Sequence, residues 1–130
     1  MKHLFTYGTL MCNDIMAAVT GAQLSHLPAT LAGYRRCCVK GEPYPAVIAD
    51  AASTVAGALY MNMPRSAWPR LDRFEGDMYS REIVPVKQCD GSVVYAEVYL
   101  TRPEFTGFLL EGEWDFERFL RKYKSRYIRI

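Results

Sequence analysis

The chain has 130 residues, half of them hydrophobic and 23% charged, with a net charge of +2. A chain of this length buries roughly two-thirds of the surface it exposes unfolded, enough for one compact domain over residues 1–130 and too little for two. The composition lacks the skews of disordered, collagen or coiled-coil chains, no apolar run nears the roughly 20 residues of a membrane span, and the charge is too small to announce a polyanion partner.

The opening Met1-Lys2-His3-Leu4-Phe5-Thr6-Tyr7-Gly8 turns polar too quickly for a signal-peptide core, so the expected location is cytoplasmic. Within it, residues 4–7 form an aromatic and β-branched run ended by Gly8, which predicts a strand entering a turn. Capping-type Asn13 and Asp14 then introduce a short helix over 13–19. Residues 33–39 read as a strand, and Gly41-Glu42-Pro43-Tyr44-Pro45 as a loop, because two prolines cannot donate to a ladder. Residues 46–49 and 54–61 are the next predicted strands, parted by Asp50-Ala51-Ala52-Ser53.

Over 64–74 the period changes. Ala67, Leu71 and Phe74 define an apolar helical face, with Ser66 as a cap, Pro69 tolerated in the first turn and Gly76 as the stop. Residues 79–87 and 93–100 alternate as paired strands around an Asp90-Gly91 hairpin, with Pro85 expected at an edge or bulge. The tail, 114–123, reads as an amphipathic helix with Phe116, Phe119, Leu120 and Tyr123 on one face. Short strands with interspersed helices give an α+β class, a small mixed β-barrel with flanking helices.

Two segments carry candidate chemistry. In Tyr7-Gly8-Thr9-Leu10, glycine admits close backbone approach, and the amides of Gly8, Thr9 and Leu10 can converge on a carboxylate or developing oxyanion. On spacing alone an ordinary turn that starts a helix is the simpler account. In Leu71-Asp72-Arg73-Phe74-Glu75-Gly76, Glu75 follows an apolar anchor at the negative end of a helix, where burial and the dipole both favour its protonated form. That tuning suits a general acid and base near neutral pH. The competing account is a surface carboxylate paired with Arg73 or Arg81. Asp72 is expected on the solvated side and Asp77 in the turn.

The order Tyr7-Gly8-Thr9-Leu10, Tyr44-Pro45-Ala46-Val47, Val55-Ala56-Gly57-Ala58-Leu59-Tyr60, Leu71-Asp72-x-Phe74-Glu75-Gly76 and Tyr79-x-Arg81 resembles the gamma-glutamylcyclotransferase-like family. It is most similar to the branch of avirulence-induced proteins and gamma-glutamylamine cyclotransferase, over roughly residues 3–100 and more loosely the tail helix. The resemblance implies a small barrel and conversion of a γ-glutamyl amine or peptide to 5-oxoproline and free amine. It implies Glu75 as catalytic acid and base, Tyr7, Gly8, Thr9 and Leu10 as the substrate loop, and Tyr79 as an aromatic substrate contact. No cofactor and no metal is implied, and the partner is a small γ-glutamyl substrate. Thr9-Leu10 differ from other branches, so the leaving amine is not transferable.

Two further readings compete with the enzyme. One is a non-catalytic barrel of the same family that binds a small ligand or regulates a partner. The other rests on Arg118, Arg121, Lys122, Lys124, Arg126 and Arg129, with Tyr123 and Tyr127 interleaved, a pattern that nucleic-acid binding would use. A tail helix with tyrosines packed inward and solvated cations accounts for it more simply, so neither nucleic acid nor membrane is an expected partner. Cys12, Cys37, Cys38 and Cys89 form no C-x-x-C pair and are expected to be buried or idle thiols.

Overall fold

The computed structural model describes residues 2–128. Met1 of the opening segment and Arg129 of the basic tail lie outside the described residues. Five strands close into a barrel in the order β1-β3-β2-β4-β5. They are β1 (Leu4–Thr6), β2 (Leu27–Cys38), β3 (Pro45–Tyr60), β4 (Tyr79–Gln88) and β5 (Val93–Thr101). Among the described residues three α-helices, α1 (Asn13–Thr20), α2 (Ala67–Glu75) and α3 (Phe116–Lys122), flank it. The α+β barrel with flanking helices is the predicted class.

Neighbouring strands run antiparallel except β1 and β5, which pair in parallel through Leu4 and Glu97 and close the barrel. Successive side chains of a strand point to opposite faces, and two cores follow. Phe5, Leu31, Val47, Val55, Leu59, Val86 and Val98 fill the barrel interior. Leu4, Tyr60 and Tyr99 turn outward to meet Ile15 and Met16 of α1, Leu71 of α2 and Phe119 of α3.

Three predicted boundaries need correction. The two strands expected at 46–49 and 54–61 are one continuous strand, β3. The turn chemistry of Asp50 to Ser53 survives as a bulge, with Asp50 accepting from the Ala52 amide and the Ser53 hydroxyl while β2 shifts register between Ala32 and Tyr34. β2 also begins at Leu27, six residues before the expected start. The tail helix begins at Phe116, because the Asp115 side chain accepts from the Arg118 amide and caps it, leaving Trp114 outside.

The Asp90-Gly91 turn joins β4 and β5, with Gly91 at a φ of +88°. Pro85 sits on the stretch of β4 that pairs with β5 alone, since β2 reaches only Lys87 and Gln88, an edge position as expected. Ser66 stands at the start of α2 but makes no side-chain cap bond. All four cysteines are free thiols, and Cys89 is exposed. No helix among the described residues is long and apolar enough to cross a membrane.

Candidate functional site

The segment after β1 is held by side chains that bond its carbonyl groups. Tyr60 donates its hydroxyl to the Leu10 oxygen at 2.8 Å, and Arg36 donates from Nη1 to the Tyr7 oxygen at 3.0 Å. Tyr7 in turn donates to the Tyr99 oxygen at 2.7 Å. Gly8 lies against Pro45, where a Cβ would come within 2.7 Å of the ring. The chain then tightens into a 3₁₀ turn, Thr9–Met11. The Met11 and Cys12 amides close that turn, while the amides of Gly8, Thr9 and Leu10 have no acceptor among the described residues. The predicted loop therefore carries three unanswered donors in succession.

Across from it, α2 delivers Glu75. Ala67, Trp68 and Leu71 are buried and fix the helix on the outer core, and Gly76, at a φ of +76°, ends it immediately after Glu75. Its final turn thus projects one carboxyl from an anchored face. Glu75 is half-buried as a residue, yet its carboxyl sits among enough protein atoms that desolvation pushes its pKa up to about 8, the direction burial dictates for an acid. Among the described residues nothing donates a hydrogen bond or pairs with it. Arg81, its expected competitor partner, instead binds Asp72 at 3.1 Å and Glu97 at 3.5 Å while stacking over Trp68 at 4.5 Å. Asp72 and Asp77 are exposed, as expected.

These two pieces face one cavity. Its inner part, about 30 Å³, is lined by the Tyr7 to Leu10 segment, Tyr44, Pro45, Glu75, Tyr79 and Tyr99. An adjoining outer part, about 150 Å³, shares Thr9, Tyr44, Glu75 and Tyr79 and adds Phe74 and Tyr127. All six residues singled out in the sequence line the cavity. Tyr79 does so with its ring. Its hydroxyl is committed to the Pro45 oxygen at 2.7 Å, and burial, then Tyr7 and Glu75, push that phenol far up.

The model of the family described as gamma-glutamyl cyclotransferase, AIG2-like, matches residues 4–116. The chain belongs to that family. A similar protein, AIG2-like protein C of Arabidopsis thaliana, is 29% identical over 126 residues, covering 96% of this chain and 73% of that one. A solution structure from Arabidopsis thaliana superposes with a TM-score of 0.72 at 26% identity, over 98% of this chain and 85% of the other. A structure titled gamma-glutamyl cyclotransferase shares the fold, with a TM-score of 0.70 at 16% identity, over 80% of this chain and 73% of that one.

Within this gamma-glutamyl cyclotransferase-like, AIG2-like fold, several lining residues escaped the sequence reading. Tyr44 and Pro45 belong to the Tyr44 to Val47 motif, which gives them no role, and their proline-bounded loop is the available signal. Phe74 was read as core and Tyr127 as tail, and no local pattern marks either, because the cavity brings together positions 53 apart in the chain. Of the basic tail, Lys124 pairs with Asp14 at 2.7 Å, Arg126 lies over Tyr123, and Tyr123 and Tyr127 pack on Phe119.

Proposed function

We propose that the protein is a cyclotransferase that releases an amine from a γ-glutamyl compound as 5-oxoproline forms. The observation that carries this reading is the carboxyl of Glu75, unpaired among the described residues and raised to about 8, facing three unanswered backbone amides across one cavity. An acid so tuned exchanges protons readily near neutral pH, and backbone donors fixed by the fold stabilise an oxyanion without reorganising.

In this mechanism the Glu75 carboxylate takes a proton from the substrate's α-ammonium, freeing the nitrogen lone pair. That nitrogen attacks the γ-carbonyl carbon of the same molecule. The carbonyl electrons move onto oxygen, and the amides of Gly8, Thr9 and Leu10 receive the charge. Glu75 returns its proton to the amide nitrogen, and the carbonyl re-forms as the bond from carbon to that nitrogen breaks. The second proton of the attacking nitrogen passes through Glu75 to the departing amine, so that 5-oxoproline and an ammonium leave and the Glu75 carboxylate is restored. No water is consumed. Nucleophile and electrophile share one molecule, so the protein's main task is to hold the folded-back conformer. Tyr7 shapes the floor of the cavity and the Tyr79 ring its wall.

The test is 5-oxoproline release from a panel of γ-glutamyl amines, amino acids and peptides. Release from at least one member supports the cyclotransferase. Tight binding of a member without turnover supports instead the non-catalytic ligand-binding barrel.

A further inference from the structure

An amide N–H and the carbonyl of the residue before it belong to one planar unit, and in the trans form they point in opposite directions. The three unanswered donors of the loop are therefore the far ends of units whose carbonyls belong to Tyr7, Gly8 and Thr9. The Gly8 and Thr9 oxygens accept from the Met11 and Cys12 amides at 3.0 and 3.1 Å, neutral donors of the same turn. The Tyr7 oxygen accepts from a cation. Arg36 of β2 reaches over β3, where Nη1 also donates to the Ala56 oxygen at 3.3 Å, and ends 3.0 Å from the Tyr7 oxygen. Its guanidinium lies 5.5 Å from the centre of the Trp114 ring and takes no part in lining the Glu75 cavity. With Arg35, Ser53, Thr54 and Glu113 it lines a separate open cleft of about 510 Å³. Burial lowers the affinity of the guanidinium for its proton and Glu113 restores part of it, so the charge is held here at a cost.

Resting on the cyclotransferase reading, we propose that Arg36 is a positioning residue of the oxyanion site, which polarises the Gly8 amide through the Tyr7 to Gly8 peptide without touching the substrate. A hydrogen bond from a cation is roughly twice as strong as one between neutral groups. It draws electron density onto the Tyr7 oxygen and leaves the Gly8 N–H more positive, the polarisation that runs along hydrogen-bonded chains. Guanidinium, carbonyl oxygen, N–H and developing oxyanion then alternate in sign. The benefit grows with the negative charge on the substrate oxygen, so it is larger in the transition state than in the bound substrate. The neutral bonds to the Gly8 and Thr9 oxygens fix the turn, and Arg36 adds the charge.

Arg36→Met removes the charge and keeps most of the stem, Arg36→Lys keeps the charge, and Arg36→Ala leaves a hole that ethylguanidinium can refill from the cleft. On the best substrate of the panel, Arg36→Met is expected to lower kcat about tenfold to a hundredfold while KM changes less than about twofold, with Arg36→Lys between it and the wild type. If Arg36→Met does not fold, Arg36→Gln takes its place with the same expectation. Ethylguanidinium is expected to restore kcat to Arg36→Ala in a saturable manner. A wild-type kcat in Arg36→Met overturns the inference and leaves the cyclotransferase in place. An equal loss in Arg36→Met and Arg36→Lys, without rescue by ethylguanidinium, overturns it as well, since the side chain then only braces the loop. The nitrogen resonance of the Gly8 amide, which responds to the bond on the Tyr7 oxygen, reads the same contact without turnover. It is expected to move upfield in Arg36→Ala and to return with ethylguanidinium. Absence of 5-oxoproline from every wild-type reaction counts against the cyclotransferase reading, and the Gly8 resonance then decides the inference by itself: a signal indifferent to the cation overturns it.

Discussion

Glu75 concentrates the cost and the use of this site in one carboxyl. Its pKa is raised from 4.5 to about 8 by burial, so folding is penalised wherever the unfolded chain would ionise it and the folded chain resists. Below pH 4.5 both states hold the proton and there is no penalty. Between pH 4.5 and 8 the unfolded state loses it first, stability falls as pH rises, and above pH 8 the penalty is full. Glu75→Gln removes the titrating group and is expected to stabilise the protein by roughly 4 kcal/mol at pH 8, with little effect at pH 4. Urea melts of both forms at the two pH values check this. A stabilisation independent of pH would mean the carboxyl is solvated.

At the scale of elements, two glycines hold neighbouring chains close, with different consequences. A Cβ on Gly57 of β3 would lie 2.2 Å from the Thr6 backbone oxygen and 2.6 Å from the Phe5 ring, so Gly57→Ala pries β1 from β3 at the barrel closure. A Cβ on Gly8 meets only the Pro45 ring, at 2.7 Å, and displaces the loop that carries the three amides. Gly57→Ala is expected to cost about 3 kcal/mol, and Gly8→Ala about 1 kcal/mol with a large loss of kcat/KM. Thermal melts with 5-oxoproline kinetics separate them. An active Gly8→Ala would exclude the loop from the site.

The same elements show what the sequence could and could not reveal. Alternation and turn chemistry located β4, β5, α1 and α2, because these signals act within a few residues. They misread Asp50 to Ser53, where the local turn was real but the β2 ladder resumed beyond it and made a bulge of it. The place of Glu75 at the end of α2 was legible from its neighbours, since an apolar anchor and a stopping glycine fix it, whereas its choice over a surface carboxylate rested on the family resemblance. Phe74 and Tyr127 became cavity walls only when the barrel closed.

For the whole molecule, the tail and the site are one assembly. Trp114 donates its indole N–H to the Pro43 oxygen at 2.7 Å, and Tyr79 bonds the Pro45 oxygen, so the loop bearing Tyr44 is pinned from both sides. Tyr127 then links Phe74 to Phe119 of α3. Trp114→Phe keeps most of the ring and leaves Pro43 unpaired. It is expected to cost about 1–2 kcal/mol in stability and to raise KM more than it lowers kcat. An unchanged KM would detach the tail from the site.

In the proposed mechanism the Glu75 carboxyl moves the proton in an intramolecular acyl transfer. Its most direct test is the pH dependence of kcat/KM for 5-oxoproline release, wild type beside Glu75→Gln, on the best substrate of the panel. The wild-type value is expected to rise with pH through about 8, as the carboxyl ionises to act as base. Glu75→Gln, still folded, is expected to lose about 10²-fold to 10⁴-fold together with that limb. A Glu75→Gln protein that keeps the wild-type rate and profile would contradict it.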